Sequence, residues 1–381
     1  MPLFTPFTLR DVTFPNRIAV SPMSQYLSKD GYANDWHLVH LGRFALGGAG
    51  LVFTEATAVE DRGRRTHGDL GLWENGQIEG MARIARFLKE QGAVPGVQLG
   101  HAGRKASERR PWHGETPVTE EDVALRGEAP WETIGPSAVP YGENWHTPTE
   151  MTQSDIDDVL AAFRDSARRA DQAGYEVIEV YAAHGFLGHQ FYSPVTNKRT
   201  DAYGGERENR MRFALETARA IRETWPEGKV LSFRISTTDW VDGGWEVEDS
   251  IALAKGLKEN GVDMVDCSTG GIGAGHNDSF KPRRMALAQG FQLPLAAQVK
   301  RETGIAAMGV GFLWDPEVAQ AAIADGTVDM VALARELLDN PNWTLHAARS
   351  LGEDKDYGFW KPQFGWWLNK RQRLLDKLNL R

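Results

Sequence analysis

Cysteine is nearly absent from this chain of 381 residues, which contains only Cys267. One cysteine cannot build an internal disulfide framework, a four-cysteine zinc site or an iron–sulfur cluster held by this chain alone. Long apolar runs are also missing, since nowhere do 18 apolar residues follow one another, and the start of the chain has no basic segment ahead of an apolar stretch. We therefore expect a soluble protein of the reducing cytoplasm, not exported and without a membrane partner.

Basic residues are fewer than acidic ones, with 43 Lys and Arg against 52 Asp and Glu and a formal net charge of −9. A chain of this sign lacks the positive footprint that holds a phosphate backbone, so no nucleic-acid partner is expected. Hydrophobic residues make up 41% and charged residues 25% of the chain. This is the ordinary mixture of a globular protein with a large core, and it excludes disorder and fibrous repeats.

Short β-rich runs alternate with helical patterns along almost the whole chain, which is typical of parallel strands joined by crossover helices. Most of the runs lack polar alternation, as expected for strands buried on both faces. The eight predicted strands are residues 18–21, 51–56, 94–99, 177–181, 230–235, 264–267, 306–309 and 330–333. Length alone leaves one barrel or two domains open, but eight strand–helix units predict a single (β/α)8 TIM barrel.

Helical spacing is clearest over residues 154–173, where Ser154 is the predicted N-cap and Gly174 ends the helix. Similar patterns follow at 206–223, 247–259 and 316–324. Each of them is followed by Gly or Pro, so strand, helix and turn recur in the same order.

Two regions interrupt this order. Residues 104–150 are rich in Pro, Gly, Trp and charge without any periodicity, so we predict a long loop insertion between the third strand and its helix. Residues 357–381 form an aromatic extension with a basic end, too rich in rings for a free tail. The extension is predicted either to pack on the barrel wall or to lie at a subunit interface or an active-site mouth. The expected division is a barrel over 1–356 followed by this extension.

The carboxyl ends of barrel strands carry the reactive groups of (β/α)8 enzymes, so the residues there are site candidates. Most side chains at these ends are hydrogen-bond donors, namely Ser21, Ser24, Tyr26, Gln98, His101, Lys105, Tyr181, His184, Arg234 and Arg335. Few acids accompany them, which predicts a site for an anion. Gly311 after the seventh strand and Arg335 after the eighth occupy the usual phosphate site of such barrels, so a phosphate-bearing cofactor or substrate is expected.

Other catalytic centres fit the sequence less well. His184 and His189 lie five residues apart, but no HExxH motif occurs, and His101 is the only other histidine at a predicted strand end. No G-x-S-x-G motif is present, and Cys267 falls inside a predicted buried strand. Neither a metal site nor a nucleophilic triad is expected.

Four motifs resemble the old yellow enzyme family of FMN-dependent ene-reductases, especially its bacterial thermophilic-like and xenobiotic-reductase branch. They are NRIAVSPM at 16–23, GVQLGHAGRKA at 96–106, AAHGFLGHQFYSP at 182–194 and NKRTDAYGGERENRMRF at 197–213. The last motif is long and highly specific, and the resemblance covers nearly the whole chain. It implies an oxidoreductase with noncovalent FMN, reduced by NAD(P)H and reoxidised by hydride transfer to small electrophilic substrates such as activated alkenes, quinones or nitro compounds.

The resemblance also implies which residues hold FMN at the barrel mouth. These are Pro22, Met23, Ser24, Ala56, Gln98, Arg234, Gly311, Ala334 and Arg335. Gln98 and Arg234 would face the flavin ring, where the cation of Arg234 would stabilise the anionic reduced flavin. Gly311 and Arg335 would bind the flavin phosphate.

By the same resemblance, Tyr181 and His184 would donate two hydrogen bonds to the carbonyl or nitro oxygen of the substrate. Many relatives have two histidines, or His and Asn, at these positions. Tyr with His also resembles the amine dehydrogenases that share the barrel, although this chain lacks their cysteines and their length. A flavin-dependent amine or hydroaromatic dehydrogenase and a redox-neutral isomerase therefore stay as alternatives, and a noncatalytic barrel that binds a phosphorylated ligand is the alternative outside enzymes.

Two positions depart from the branch. Ser24 stands where most members have a cysteine that tunes the flavin, and Phe186 stands where most have the tyrosine that protonates the α-carbon. Since a phenyl ring has no proton to donate, that step is expected to slow by about 10²- to 10⁴-fold unless water, Tyr26, Tyr181 or a loop residue supplies the proton.

The remaining expected substrate contacts come from Lys105 and from the aromatic extension. Relatives in this branch are commonly dimers or tetramers, and their C-terminal segment can reach the active site of a neighbouring subunit. We therefore expect a homo-oligomer in which Trp366 and Trp367 line that site.

Overall fold

Eight parallel strands form a closed barrel in a computed structural model that describes residues 1–273 and 287–380. They are β1 Ile18–Val20, β2 Leu51–Ala58, β3 Val94–Gly100, β4 Val177–Ala182, β5 Val230–Ser236, β6 Met264–Ser268, β7 Ala306–Gly309 and β8 Met330–Leu333. Strand β1 pairs in parallel with both β8 and β2, which closes the ring. The predicted (β/α)8 barrel is confirmed, with each strand close to its predicted range.

Eight helices surround the barrel. They are α1 Asp35–Leu46, α2 Ile78–Glu90, α3 Gln153–Gln172, α4 Arg207–Arg222, α5 Val247–Glu259, α6 Leu293–Thr303, α7 Pro316–Ala324 and α8 Trp343–Ser350. Short helices at Glu120–Arg126, Leu187–Tyr192 and Arg335–Asp339 lie in the connections. The predicted N-cap of α3 was wrong, because the side chain of Thr152, not Ser154, accepts the hydrogen bond from Asp155 N. Gly174, at φ +84°, ends that helix as predicted.

Alternate residues of each strand point into the barrel, because successive side chains of a strand lie on opposite faces. At the amino ends of the strands the inward residues are apolar and pack in one buried cluster that includes Ala19, Leu51, Phe53, Val177, Val230, Met264, Met308 and Met330. The hairpin formed by Phe7–Leu9 and Val12–Phe14 adds Val12 and Phe14 to this cluster. The bottom of the barrel is therefore apolar and closed.

Towards the carboxyl ends the inward residues of β4, β5 and β6 become polar. Counting in steps of two from Val177, Val230 and Met264, the inward positions are Glu179 and Tyr181, Ser232 and Arg234, and Asp266 and Ser268. Charge is thus placed inside the barrel just below its mouth.

The insertion between β3 and α3 covers one side of the mouth. It contains the helix Glu120–Arg126 and a parallel pair of two-residue strands, Ile134–Gly135 and Thr149–Glu150. Arg104 is buried and donates hydrogen bonds from Nη1 to the carbonyl oxygens of Val139 (3.2 Å) and Pro140 (3.0 Å). This arginine anchors the insertion to the barrel.

The aromatic extension includes a helix at Pro362–Lys377. Lys361 Nζ ties its start to the barrel by donating to the carbonyl oxygen of Gln91 at 2.7 Å. Trp366 and Trp367 are 58% and 62% exposed on this helix. Arg381, the last residue of the predicted extension, lies outside the described residues.

A buried hydrogen bond between His189 and Asp239 holds the loop that follows β4. His189 Nε2 lies 2.6 Å from Asp239 Oδ1, and both side chains are inaccessible to solvent. The other carboxylate oxygen of Asp239 accepts hydrogen bonds from Ser193 Oγ (2.6 Å) and from Trp245 N (2.8 Å). His189 Nδ1 in turn accepts the N–H of Gly185 at 2.9 Å. Asp239 therefore fixes, through His189, the segment that presents the side chains after β4.

Replacing Asp239 with Ala should destabilise the fold strongly, by about 3–5 kcal/mol, because three buried donors lose their acceptor. The matched control is Asp325→Ala, at an exposed position, which should change stability by no more than about 0.5 kcal/mol. Urea unfolding followed by far-ultraviolet circular dichroism measures both. Equal unfolding midpoints for the two variants would contradict this role for Asp239.

Candidate active site

A cavity of about 520 Å³ opens at the carboxyl ends of the strands. Its lining includes Ser21, His184, Arg234, Ser268, Phe291, Gln292, Val310, Gly311, Phe312, Ala332, Ala334 and Arg335. Its volume is typical of a small-molecule site. A larger cavity of about 890 Å³ lies at the opposite end of the barrel, but its cations are already paired, as Arg10 is with Asp263 and Lys300 with Asp329. We therefore place the site at the carboxyl ends.

One end of this cavity is suited to a phosphate. Gly311 has a φ of +114°, and a Cβ atom at this position would meet Gln292 and the ring of Phe291 at 3.3 Å. The guanidinium of Arg335 lies 5.3 Å from the ring centroid of Phe312. In the described part of the chain no carboxylate oxygen comes within 4 Å of that guanidinium. The guanidinium of Arg335 and the backbone at Gly311 thus line the same part of the cavity.

Arg234 occupies the centre of the mouth. Its Nη1 donates to Ser21 Oγ at 2.8 Å, and its Nε lies 3.3 Å from Asp266 Oδ2. Burial acts to lower the pKa of Arg234, but the neighbouring carboxyl groups of Asp266 and Glu179 raise it overall. Arg234 therefore carries its positive charge into the site.

Two acids lie inside the barrel next to this arginine. Burial raises the pKa of Glu179 well above its usual value, and the nearby Asp266 raises it further. Burial also raises the pKa of Asp266, against the opposing effect of Arg234. Sequence reasoning considered only the strand ends and therefore missed both acids. A carboxyl group inside each of the apolar runs VIEVY and MVDCS was the signal that could have found them.

Gln98 lies beside the same pair of acids. Its Nε2 donates to Glu179 Oε1 at 2.8 Å, and Ala56 is its register partner on β2. Both residues are buried. The hydrogen bond to Glu179 orients the amide of Gln98.

Tyr181 and His184 come together as one hydrogen-bonded pair. Tyr181 Oη is 3.0 Å from His184 Nδ1, and His184 Nε2 is 2.6 Å from Ser268 Oγ. His184 has a φ of +53°, and its N–H donates to Ser236 Oγ at 3.0 Å, which stabilises this uncommon backbone conformation. Sequence reasoning missed Ser268, although it ends β6 and the strand-end rule would have found it.

Burial keeps both members of the pair neutral. It raises the pKa of Tyr181 to about 12. It also lowers the pKa of His184 well below its usual value, with further lowering by Arg234 and Lys105. A neutral phenol and a neutral imidazole each carry one donor hydrogen, and here these hydrogens lie within the chain of contacts that links Tyr181, His184 and Ser268.

Phe186 and Lys105 border this pair. The ring centroid of Phe186 lies 4.0 Å from that of Tyr181, and Phe186 packs in a buried cluster with Ala56 and Ala102. Lys105 Nζ donates to the carbonyl oxygen of His184 at 2.9 Å. The structure therefore brings Phe186 and Lys105 to the mouth beside the donor pair.

Tyr26 lies in the loop that follows β1. Its hydroxyl accepts a hydrogen bond from Arg65 Nη1 at 2.9 Å, and burial raises its pKa to about 12. Pro22, Met23 and Ser24 precede it as half-buried residues of the same loop.

Trp366 and Trp367 do not reach this cavity in the same chain. Trp367 lines a separate groove with Arg43 and Pro341, on the outside of the barrel. A role at the mouth therefore requires a second subunit.

The histidines do not converge on one point. His184 is bonded to Tyr181 and Ser268, whereas His189 is bonded to Asp239. Across residues 1–273 and 287–380, no group of three or more His, Cys, Asp or Glu side chains is arranged to hold a metal ion. Over the same residues, no helix has the length and apolar character needed to cross a membrane.

Comparison with known proteins assigns the chain to a family. The sequence pattern of the NADH:flavin oxidoreductase / NADH oxidase family matches residues 2–354. An NADPH dehydrogenase of Geobacillus sp. (strain WCH70) is 41% identical over 352 residues, which cover 92% of this chain and 94% of that protein. An NADH:flavin oxidoreductase of Gibberella zeae is 42% identical over 363 residues, which cover 92% of this chain and 86% of that protein.

Solved structures share the fold. A complex of 2-naphthoyl-CoA reductase with 2-naphthoyl-CoA matches with a TM-score of 0.79 at 26% identity, over 93% of this chain and 53% of that chain. Histamine dehydrogenase from Rhizobium sp. 4-9 matches with a TM-score of 0.74 at 26% identity, over 93% of this chain and 48% of that chain. This chain thus spans about half the length of each. Morphinone reductase, at 24% identity and a TM-score of 0.73, shares the fold over 95% of this chain and 92% of its own.

The fold, the cavity and these comparisons define a flavin-dependent oxidoreductase built on a (β/α)8 barrel. The chain belongs to the NADH:flavin oxidoreductase / NADH oxidase family, which is the family of the old yellow enzymes. The resemblance seen in the sequence is therefore confirmed, and the protein is an FMN-dependent NAD(P)H oxidoreductase of the old yellow enzyme type.

Proposed function

We propose that this oxidoreductase uses NAD(P)H to reduce activated alkenes, quinones or nitro compounds. The observation that carries the proposal is the neutral donor pair Tyr181 and His184, which lies beside the cavity that holds Arg234 and Arg335. A phosphate-bearing flavin and the polarised oxygen of a substrate would find complementary groups there. NADPH is the favoured reductant, because the Geobacillus relative is named an NADPH dehydrogenase.

The residues present fit FMN. Gly311 and Arg335 would hold its phosphate, and Gln292 Oε1, which is buried without a hydrogen-bond partner in the cavity wall, offers one more polar contact. Arg234 and Gln98 would face the ring. The remaining contacts would come from Pro22, Met23, Ser24, Ala56 and Ala334. When bound, FMN supplies the two-electron chemistry that accepts hydride from NAD(P)H and passes it on.

Tyr181 and His184 would bind the oxygen of the substrate. As hydride arrives at the carbon β to a carbonyl group, negative charge grows on the oxygen, and two preorganised donors stabilise that charge. Both ring nitrogens of His184 are engaged, by Tyr181 and by Ser268, so the substrate oxygen would replace one of these partners. The positive charge of Arg234 would add to this stabilisation of the negative charge.

The test of this function uses the reduced enzyme. Reoxidation by 2-cyclohexenone should be rapid in the wild type, and Tyr181→Phe and His184→Gln should slow it by about 10²- to 10³-fold, the usual effect of removing an oxyanion donor. Stopped-flow absorbance at the flavin band measures the rate.

Phenol binding provides a direct readout of the same pair. A para-substituted phenol should give a long-wavelength charge-transfer band with the oxidised wild type, and the double variant Tyr181→Phe, His184→Ala should lose the band. Unchanged phenol affinity in the double variant would refute the assignment of this pair.

Arg335→Ala should weaken FMN binding by about 10- to 100-fold, because one charge-assisted contact to the phosphate is lost. Riboflavin, which has no phosphate, serves as the matched control ligand and should bind the wild type and the variant with equal affinity. Quenching of flavin fluorescence on titration of the apoprotein measures both affinities. An equal loss for riboflavin would show that Arg335 acts through structure and not through the phosphate.

A second candidate is oxidation of amines. The structural match to a histamine dehydrogenase favours it, together with the pairing of a tyrosine and a histidine at the site. The reductant separates the candidates: a flavin band that bleaches with an amine and not with NADPH would favour the amine dehydrogenase.

We infer further that the extension at 357–381 completes the site of a neighbouring subunit in a cytoplasmic homo-oligomer. Trp366, Trp367 and Leu374 are all more than half exposed on one helix, and a cluster of exposed apolar rings calls for a covering surface. Trp366 and Trp367 would then contact the substrate of the neighbour.

Deleting residues 363–381 should raise KM for the substrate and reduce the mass of the assembly, while FMN stays bound because no cavity residue is removed. Light scattering gives the mass and steady-state kinetics give KM. A truncated chain with full assembly and unchanged KM would show that the extension only packs on its own barrel.

A further inference from the structure

We propose that Lys105 is the general acid that protonates the α-carbon of the alkene. This inference rests on the proposed alkene reduction and names the group that delivers its proton. Phe186 has no proton to donate, so the reaction needs another donor close to the same position.

Lys105 lies where such a donor is needed. Its side chain is only 7% exposed, although it belongs to the insertion that borders the mouth. Its Nζ is 2.9 Å from the carbonyl oxygen of His184 and 5.7 Å from the ring centroid of Phe186. The ammonium group therefore lies against the backbone of His184 and close to the phenyl ring.

The ammonium group has capacity left for a substrate. It carries three hydrogens, one of which is donated to the carbonyl oxygen of His184, and the centroid of the Tyr141 ring lies 4.7 Å from Nζ. Among the described residues no carboxylate oxygen lies within 4 Å of Nζ. A buried lysine without an ion pair is costly, and such groups occur preferentially at functional sites.

The surroundings make Lys105 a suitable acid at neutral pH. Burial lowers its pKa to about 7, with contributions from the charges around it. Arg65 and Arg104 lower the pKa, whereas Glu108 and Glu115 raise it, and the neighbours Tyr141 and His184 face it as neutral groups. A general acid works best when its pKa is near the working pH.

The other candidate donors are weaker acids. Tyr26 and Tyr181 both have a pKa raised to about 12 by burial. Tyr181 is also bonded to His184, where it would face the oxygen of the substrate and not its α-carbon. Lys105 is thus the better proton donor of the three.

The proposed step balances in atoms and electrons. Hydride brings two electrons and one hydrogen to the β-carbon, and the π electrons of the alkene form a new C–H bond at the α-carbon with a proton from Lys105 Nζ. The electron pair of the broken N–H bond stays on nitrogen. The neutral amine then takes a proton from water, so the alkene gains two hydrogens and Lys105 returns to its starting state.

The test compares an enone, which needs a proton at carbon, with a quinone, whose oxygen atoms can take protons from water. Reduced enzyme is mixed anaerobically with each, and the ratio of the two reoxidation rates is measured. Lys105→Met and Lys105→Arg should both lower the enone-to-quinone ratio by about 10²- to 10⁴-fold, because Arg keeps the charge but does not release a proton near neutral pH. Lys255→Met, at an exposed position on α5, is the matched control and should keep the wild-type ratio.

Two further readouts separate proton transfer from a structural role. In the wild type, enone reoxidation should slow as pH rises through about 7, because Lys105 loses its proton, and this fall should be absent in Lys105→Arg. Adding Phe186→Tyr to Lys105→Met should raise the enone rate at least tenfold, since a phenol then sits beside the same site.

Several results would overturn the proposal. A wild-type ratio in either Lys105 variant would do so, as would recovery by Lys105→Arg alone, which would mean that charge and not a proton is required. If Lys105→Met does not retain FMN, the enone-to-quinone ratio of Lys105→Arg alone decides whether the proposal holds. A wild-type enzyme that reduces the quinone but not the enone would instead reject alkene reduction itself, and this inference with it.

Discussion

The buried contact between Arg234 and Asp266 is the interaction on which the site depends. A guanidinium inside a barrel is tolerated only when a carboxyl group and other acceptors surround it. Asp266 on β6 lies beside Arg234 as its register partner, and Ser21, at the end of β1, accepts its hydrogen bond. This arrangement connects opposite sides of the barrel and places one cation at the floor of the mouth.

Burial determines the chemical character of the other groups at the mouth. The same low-polarity surroundings keep the phenol of Tyr181 protonated and the imidazole of His184 neutral, so both are donors. They lower the pKa of the Lys105 ammonium group as they lower that of His184, which makes Lys105 a better acid. The proposed oxygen binding and proton delivery would therefore be divided between neighbouring side chains.

Much of the fold was predictable because the information is local. Most strands are largely apolar runs and the main helices have amphipathic spacing, so the eight units and the long insertion after β3 were visible from the order of residues. The candidate site residues at the strand ends were predicted by the same rule, together with family motifs such as GVQLGHAGRKA, and their roles in the reaction stay predictions. The N-cap of α3 was misplaced because Thr152 and Ser154 have the same capping chemistry and only the backbone geometry chooses between them.

The sequence by itself determined the barrel, the family and the chemical types available at the mouth, since these depend on residue identity and spacing along the chain. Only the tertiary structure decided which groups meet. Glu179, Asp266 and Ser268 belong to the site because barrel closure and strand register turn alternate residues inward. Neither the closure of the barrel nor the register of its strands can be deduced from a single segment of the sequence. The low pKa of Lys105 has the same origin, because it depends on burial by residues far apart in the chain.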